Sequence, residues 1–273
     1  MSEMTKAVIL ARGLGTRMRK ADAGAELSEA EQAVAATGVK AMIPIADGHT
    51  FVEFVLSELA DVGYTDVCLI IGPEHDAVRE FFEALPMSRL KLHFAIQEEP
   101  LGTADAVAAA KDFAGDDDIL VINSDNYYPP EALEGLRKLD GAGLAGFQRE
   151  GMLAGSNIPA DRISKFAVIE TNDDGSMSKI LEKPEPEVVA ALPEPICVSM
   201  NCWRFGPKIF DACAAIEPSP RGELEVTDAV QYAIDELGET FAAPRFSAPV
   251  LDLSSRADIA PVQEALKGVE VRL

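Results

Sequence analysis

The apolar run Ala7-Val8-Ile9-Leu10 passes without a break into Ala11-Arg12-Gly13-Leu14-Gly15-Thr16-Arg17-Met18-Arg19. A buried strand that ends in a glycine loop admits few folds. The loop belongs at the carboxyl end of a first parallel strand, with a helix returning behind it. Gly13 and Gly15 let the backbone turn tightly and bring N–H groups toward anionic oxygens, while Arg17 and Arg19 add positive charge where the loop opens. The pattern therefore points to phosphate. It is not a Walker loop, which has a longer spacing between its glycines and ends in Gly-Lys-Ser/Thr. Nor is it a dinucleotide fingerprint, whose third glycine would stand where Met18 does. Taken alone, a Gly-x-Gly at a strand end also fits an ordinary tight turn between strand and helix.

The rest of the first half keeps the same rhythm. Apolar runs at 67–71, 90–96 and 119–122 read as buried strands, and the segments 51–62, 77–85 and 104–113 between them carry helical spacing. Such alternation predicts a parallel sheet covered by helices on both faces, with ligands outside the carboxyl ends of the strands. Asn123-Ser124-Asp125 lies at that edge after the fourth strand, level with the glycine loop after the first. In the second half, 166–170 and 179–181 flank the hairpin turn Asn172-Asp173-Asp174-Gly175, and 198–205 reads as a further strand. The fold class expected is α/β, with a mixed, mostly parallel sheet flanked by helices. Helices are expected at 207–216, 225–237 and 257–266, and the proline-rich stretch 184–195 reads as a surface excursion. Between Lys20 and Val39, Ser28 and Glu31 form a capping box and Gly38 a helix stop, so a short helix is expected beside the loop, either as solvated decoration or as a lid.

A chain of 273 residues can bury one large α/β core, and residues 1–273 are read as one domain. The net charge of −22 excludes a nucleic-acid scaffold, which needs an extended basic face. An anionic ligand would require the few Arg and Lys residues near the glycine loop, with a divalent cation, to reverse that field locally. No apolar stretch is long enough to cross a bilayer and the first residues lack the pattern of a signal peptide, so the expectation is a cytoplasmic protein without membrane contact. The four cysteines, Cys68, Cys197, Cys202 and Cys213, form no CxxC pair and stand far from the histidines in sequence, as buried free thiols would.

Further fragments follow the loop in a telling order: Val39-Lys40-Ala41-Met42-Ile43-Pro44, Gln97-Glu98-Glu99-Pro100-Leu101-Gly102-Thr103-Ala104, Asn123-Ser124-Asp125-Asn126, Glu182-Lys183-Pro184 and Arg221-Gly222-Glu223-Leu224-Glu225-Val226-Thr227-Asp228. With the opening loop, the chain resembles the sugar-1-phosphate nucleotidyltransferases, or NDP-sugar pyrophosphorylases, over nearly its whole length. The motifs 125–128 and 221–228 look most like those of glucose-1-phosphate thymidylyltransferases. The resemblance implies a Rossmann-like nucleotidyltransferase fold of the GT-A type, with a nucleotide-binding half at about 1–130 and a sugar-phosphate-binding half at about 131–273. It also implies Mg²⁺ as cofactor, an NTP (dTTP or UTP favoured) and a sugar 1-phosphate as partners, and it leaves homo-oligomerisation open.

By the same resemblance, Leu10, Ala11, Gly13, Gly15, Thr16, Arg17, Lys40, Gln97 and Gly102 bind the nucleotide, and Asn126, Glu182, Lys183 and Asn201 bind the sugar phosphate. Asp125 and Asp252 ligate the metal, and Arg17, Lys183 and Asp125 are catalytic. The chemistry suits these residue types. The attacking phosphate oxygen is already ionised, so positioning and charge neutralisation by Arg, Lys and a carboxylate-held Mg²⁺ can supply most of the rate without a general base. Arg17 can grip two oxygens of the departing pyrophosphate, and Gln97 can both donate to and accept from a base edge. Blander readings stay open at several positions: a strand-end Asp as a turn cap, Glu182-Lys183 as a surface ion pair, Lys40 as solvated, Asn201 as a buried structural amide, and Thr227-Asp228 as a helix cap.

Some positions depart from the family's usual pattern. Arg12 replaces a small residue, Val39 a proline and Ser124 a glycine; Ala167, Met200-Asn201 and Ser254-Ser255 differ on the sugar side. These departures predict retained nucleotidyl transfer with an altered sugar. Arg12 either contacts phosphate or pairs with a nearby carboxylate. The competing functional reading is a catalytically silent sensor or regulatory subunit that binds sugar nucleotides on the same fold.

Overall fold

The computed structural model describes residues 3–13, 15–20, 27–37, 39–182 and 184–273. Its strands are β1 (Lys6–Leu10), β2 (Pro44–Ala46), β3 (His49–Thr50), β4 (Asp66–Ile71), β5 (Lys91–Ile96), β6 (Ile119–Asn123), β7 (Asn126–Tyr127), β8 (Gly143–Gln148), β9 (Val168–Thr171), β10 (Met177–Leu181), β11 (Cys197–Phe205), β12 (Arg245–Phe246) and β13 (Leu251–Asp252). β2 pairs with β3 and β13 with β7; the others form a nine-stranded sheet in the order β10-β9-β11-β6-β1-β4-β5, with β8 on β11 and β12 on β8.

The central strands β6, β1, β4 and β5 are mutually parallel, and β11 joins β6 antiparallel, giving the mixed sheet that the sequence predicts. Because helices cover both faces, strand residues are buried whichever way they point. On β1, Ala7 and Ile9 enter one core while Val8 enters the other. The first core includes apolar residues of the helices Phe51–Val62 and Pro130–Lys138; the second includes those of Thr103–Ala108, Lys208–Ala215 and Val226–Asp235. Arg204 on β11, paired with Asp118 at 2.6 Å, donates to the Leu136, Arg137 and Leu139 carbonyls and so closes the end of the Pro130–Lys138 helix.

Several expectations shift in detail. The helix expected over 104–113 is split into Thr103–Ala108 and Lys111–Ala114, with a tighter bond from Ala110 N–H to the Val107 carbonyl at 3.0 Å marking the break. The surface excursion at 184–195 contains a short helix, Pro186–Ala190. Thr227 and Asp228 do not cap the last long helix, which starts one residue earlier at Val226; its first free N–H is taken by Thr103 Oγ1 at 2.8 Å. The capping box before Glu29–Thr37 forms, with Ser28 N–H on Glu31 Oε2 at 2.7 Å and Glu31 N–H on Ser28 Oγ at 3.3 Å. That helix buries Ala35, and Glu31 accepts from Gln263 Nε2 at 2.6 Å. The stop expected at Gly38 lies outside the described residues.

Among the described residues, no helix is long and apolar enough to cross a membrane. All four cysteines are buried and free.

Candidate functional site

In the order β5-β4-β1-β6, chain connections leave β1 toward opposite sides, so the loops after β1 and β6 diverge and open a crevice at the carboxyl edge. Register makes this concrete: Leu10 lies opposite Asn123, and Ser124 N–H still bonds to the Leu10 carbonyl at 3.2 Å before the two chains part. A cleft of about 440 Å³ occupies that edge.

The glycine loop forms its floor through Leu10, Ala11, Arg12, Gly13, Gly15, Thr16 and Arg17. Gly15 sits at φ 60, ψ 26, a left-handed conformation that starts the short helix Thr16–Arg19. Met18 is fully buried and anchors that turn, while Arg256 Nε, far along the chain, donates to the Met18 carbonyl at 2.9 Å. Thr16 and Arg17 are thereby left exposed at the cleft.

Across the crevice, Lys40 rises from the 3₁₀ turn Lys40–Met42 and its Nζ meets Asp125 Oδ2 at 2.5 Å. Both side chains are mostly shielded, at 14% and 21% exposure, and both line the cleft. Lys40 is therefore not a solvated surface lysine. Asp125 is fixed from behind by Leu253 N–H, which bonds to its carbonyl at 2.7 Å.

The far end of the cleft is built by the segment after β5. Gln97 is 5% exposed, and its Nε2 donates to the Gly102 carbonyl at 3.0 Å and Asp105 Oδ2 at 2.8 Å. With its N–H groups engaged, Gln97 keeps its amide oxygen as an acceptor. Gly102 takes φ +135 and lies hard against Leu224, whose carbonyl receives Ala104 N–H at 2.8 Å. Pro100, Thr103, Asn123 and Glu223 also line this space; Asn123 stands at the edge where the sequence placed it, whereas Glu223 was not expected as a cleft residue.

Asn201 completes the wall from a bulge in β11, between Ser199 and Trp203. Its φ of +54 is a conformation that asparagine tolerates better than most residues, and its Oδ1 accepts from Trp203 Nε1 at 3.3 Å. Asn201 is thus both a cleft residue and a structural amide. Beneath it, buried Tyr128 donates to the Met200 carbonyl at 2.6 Å and receives Asn123 N–H at 3.3 Å, tying the end of β6 to the bulge. Burial pushes the Tyr128 phenol well above its ordinary pKa, so it remains a donor.

Asn126, Asp252 and Glu182 lie off the cleft lining. Asn126 is buried, accepting from Asn123 Nδ2 at 3.2 Å and donating to Asp252 Oδ1 at 3.0 Å. Asp252 pairs with Asn126 in register across β13 and β7, one residue from Asp125, but both its carboxylate oxygens are engaged. Oδ1 also accepts from Ser254 Oγ at 2.9 Å, and Oδ2 accepts from Arg162, whose Nη1 holds Asp258 at 3.0 Å. Two buried carboxylates so close together need a positive charge between them, and Arg162, unremarked in the sequence, supplies it. Glu182 is exposed and stands 3.7 Å from Arg221, which also pairs with Glu225 at 2.7 Å. Lys183 lies outside the described residues.

The donor set suits Mg²⁺: hard carboxylate oxygen at a phosphate-sized cleft, with Asp125 facing it. Among the described residues there is no cluster of three or more His, Cys, Asp or Glu side chains, and a magnesium ion held largely through substrate phosphates requires only one or two carboxylates.

An α/β chain with a glycine loop and a strand-end aspartate facing each other at the switch point defines a phosphate-handling class, and the comparisons specify it. The chain belongs to the nucleotidyl transferase family, whose model matches residues 6–246. This bears out the family resemblance carried by the motifs. It is 30% identical over 244 residues to the low-salt glycan biosynthesis nucleotidyltransferase Agl11 of Haloferax volcanii, a match covering 84% of this chain and 59% of that protein. It is 30% identical over 230 residues to the glucose-1-phosphate thymidylyltransferase of Streptomyces griseus, covering 84% of this chain and 57% of that protein. The chain thus spans less than two thirds of the length of these curated relatives. A crystal structure of UDP-glucose pyrophosphorylase complexed with UDP-glucose shares the fold, with a TM-score of 0.72 at 18% identity over 96% of this chain and 98% of that one.

Proposed function

We propose that this protein transfers a nucleotidyl group from an NTP, dTTP or UTP, to a sugar 1-phosphate resembling glucose 1-phosphate, giving an NDP-sugar and pyrophosphate. The observation that carries this reading is the Lys40–Asp125 pair at 2.5 Å, facing the glycine loop and Arg17 across one cleft. In this reaction a phosphate oxygen of the sugar phosphate attacks the α-phosphorus in line, the new P–O bond forms, and the bond to the pyrophosphate oxygen breaks. No proton has to be removed from the nucleophile. No histidine or cysteine is among the described residues lining the cleft, which suits chemistry driven by position and charge.

In this scheme Arg17 and Lys40 bind phosphate oxygens, and Arg17 stabilises the departing pyrophosphate with its planar fork. Gln97 presents its amide oxygen to the base, where N3–H of thymine or uracil is a matching donor, and Gly102 lines the cleft beside it. Lys183 holds the sugar phosphate, with Glu182, Asn126 and Asn201 on the sugar side. Asp125 would hold Mg²⁺, and Asp252 could serve as second ligand if Arg162 released its Oδ2. A magnesium ion bound there supplies charge neutralisation on the triphosphate oxygens. The same reading makes the protein a cytoplasmic enzyme.

The test is pyrophosphate release across a panel of nucleoside triphosphates and sugar 1-phosphates, with Asp125→Ala as the comparison. Release by the wild type with dTTP or UTP, abolished in a folded Asp125→Ala variant, is the expected result. Unchanged turnover in that variant would overturn the role of Asp125. Silence across the panel together with tight sugar-nucleotide binding would instead make the protein a sensor.

A further inference from the structure

Phosphate chemistry does not account for Arg12. It follows the end of β1 and precedes Gly13, in a turn where a small side chain would suffice, yet it carries a long cation into the cleft wall. That side chain is 7% exposed, and each of its three guanidinium nitrogens donates one bond to protein. Nε and Nη2 donate to the two carboxylate oxygens of Glu74 at 3.3 and 3.2 Å, and Nη1 donates to the backbone carbonyl of Gln97.

Glu74 and Gln97 lie in the turns that leave β4 and β5. One side chain therefore fastens together the carboxyl-end loops of three neighbouring parallel strands, β1, β4 and β5. The fit depends on Gly72, where a Cβ would stand 2.3 Å from Glu74 Oε2 and 2.5 Å from Arg12 Nε. The carboxyl of Glu74 is held below its ordinary pKa, first by its own backbone N–H and then by Arg12, so it stays charged against the guanidinium. Three of the five N–H groups of Arg12 are spent on these two partners, which hold the fork against the loops after β4 and β5 rather than leaving it free to close on phosphate.

We propose that Arg12 is a positioning residue that determines nucleobase selection: it bonds the Gln97 carbonyl and braces on Glu74, fixing the base-reading segment against the triphosphate loop. This rests on the reading of the cleft as an NTP site. Gln97 reads a base edge with one acceptor, and discrimination by a hydrogen bond survives only while that acceptor is held within a few tenths of an ångström of its place. With Arg12 gone, the main chain at 97 loses a charge-assisted bond and the acceptor gains freedom to meet other bases. Lysine cannot replace it, since a single ammonium lacks the fork that reaches a carboxylate and a carbonyl at once.

The experiment measures the affinity of dTTP, UTP, ATP and GTP, without sugar phosphate, for the wild type and for Arg12→Ala, Arg12→Lys and Glu74→Gln, with sugar 1-phosphate KM and thermal midpoints alongside. In Arg12→Ala the preferred triphosphate should bind roughly tenfold more weakly, the order expected for one lost charge-assisted bond. The other triphosphates should weaken less, so selectivity falls, while the sugar 1-phosphate KM stays put. Arg12→Lys should not restore selectivity, and Glu74→Gln should lose part of it. If Arg12→Ala does not fold, Glu74→Gln carries the same test. Equal weakening for every triphosphate would make Arg12 a phosphate ligand and overturn the proposal, as would unchanged selectivity in the folded variants. A wild type that binds no triphosphate would overturn the functional reading itself, a result distinct from both.

Discussion

Gly102→Ala adds one methyl group where the backbone of Leu224 leaves no space. The new Cβ would lie 2.4 Å from the Leu224 carbonyl oxygen, 2.6 Å from its nitrogen and 2.9 Å from its carbonyl carbon. Against an ordinary contact of about 3.5 Å, the two segments must separate by roughly 1 Å. Backbone offers no rotamer through which to escape. The φ of +135 adds backbone strain of about 1–3 kcal/mol for a residue with a side chain. Forced overpacking contributes a further 1–3 kcal/mol or so. Separation also threatens the bonds from Ala104 N–H to Leu224 at 2.8 Å and from Leu224 N–H to Leu101 at 2.7 Å, each worth about 1 kcal/mol. Allowing for overlap among these effects, a loss of roughly 3–6 kcal/mol is expected, a large share of the stability of an ordinary domain.

Urea denaturation followed by circular dichroism measures the loss, and titration with dTTP or UTP reports the cleft. Gly13→Ala is the matched control: a Cβ there meets nothing within 4 Å, so its stability should stay within about 0.5 kcal/mol of wild type. A Gly102→Ala protein less than about 1 kcal/mol below wild type, with nucleotide binding intact, would refute the steric argument.

Thr103→Val removes the oxygen that accepts Val226 N–H at 2.8 Å and should destabilise the protein by about 1 kcal/mol in the same urea assay; no change would show that the cap is dispensable. Glu58, half-buried and bonded by Tyr127 O–H at 2.6 Å, has its pKa raised above the ordinary carboxylate range, chiefly by desolvation. Its contribution to stability is complete below the unfolded pKa and is lost as pH rises through the folded one, so Glu58→Gln should raise the thermal midpoint at pH 7 and not at pH 4. A lower midpoint at pH 7 would contradict that sign. Burial pushes the Cys68 and Cys213 thiols up to about 12 and raises those of Cys197 and Cys202. The native protein should therefore resist an aromatic disulfide reagent at pH 8 and react after unfolding, and a fast-reacting native thiol would refute the burial argument.

The central strands were legible because a strand buried on both faces must be apolar at every position, and Ala7–Leu10, Val67–Ile71 and Ile119–Ile122 are. The helix Phe51–Val62 was legible to the residue, closed by a Thr50–Glu53 capping box and by Gly63 at φ +104. β8 was not, although it pairs with β11 in the middle of the second half. Its Gly143 and Gly146 dilute the apolar signal, and Gly143 is required by neighbours distant in sequence: a Cβ there would stand 2.9 Å from the Ala242 carbonyl. The split of 104–113 likewise left no mark, since alanine suits both the helix and its break.

For the site the division is sharper. By itself the sequence determined which residue types come to the carboxyl edge, because the order of strands and loops places Gly13, Gly15, Arg17, Gln97, Gly102 and Asp125 there once the sheet forms. Only the tertiary structure decided what each side chain does on arrival. Lys40 faces Asp125, Arg12 turns from the phosphate loop to Glu74 and Gln97, and Asp252 is held by Arg162 from 90 residues away. Local patterning specifies where the backbone goes, through burial and turn chemistry. The pairing of buried charges is fixed by contacts between segments far apart in the chain, to which no local pattern is sensitive.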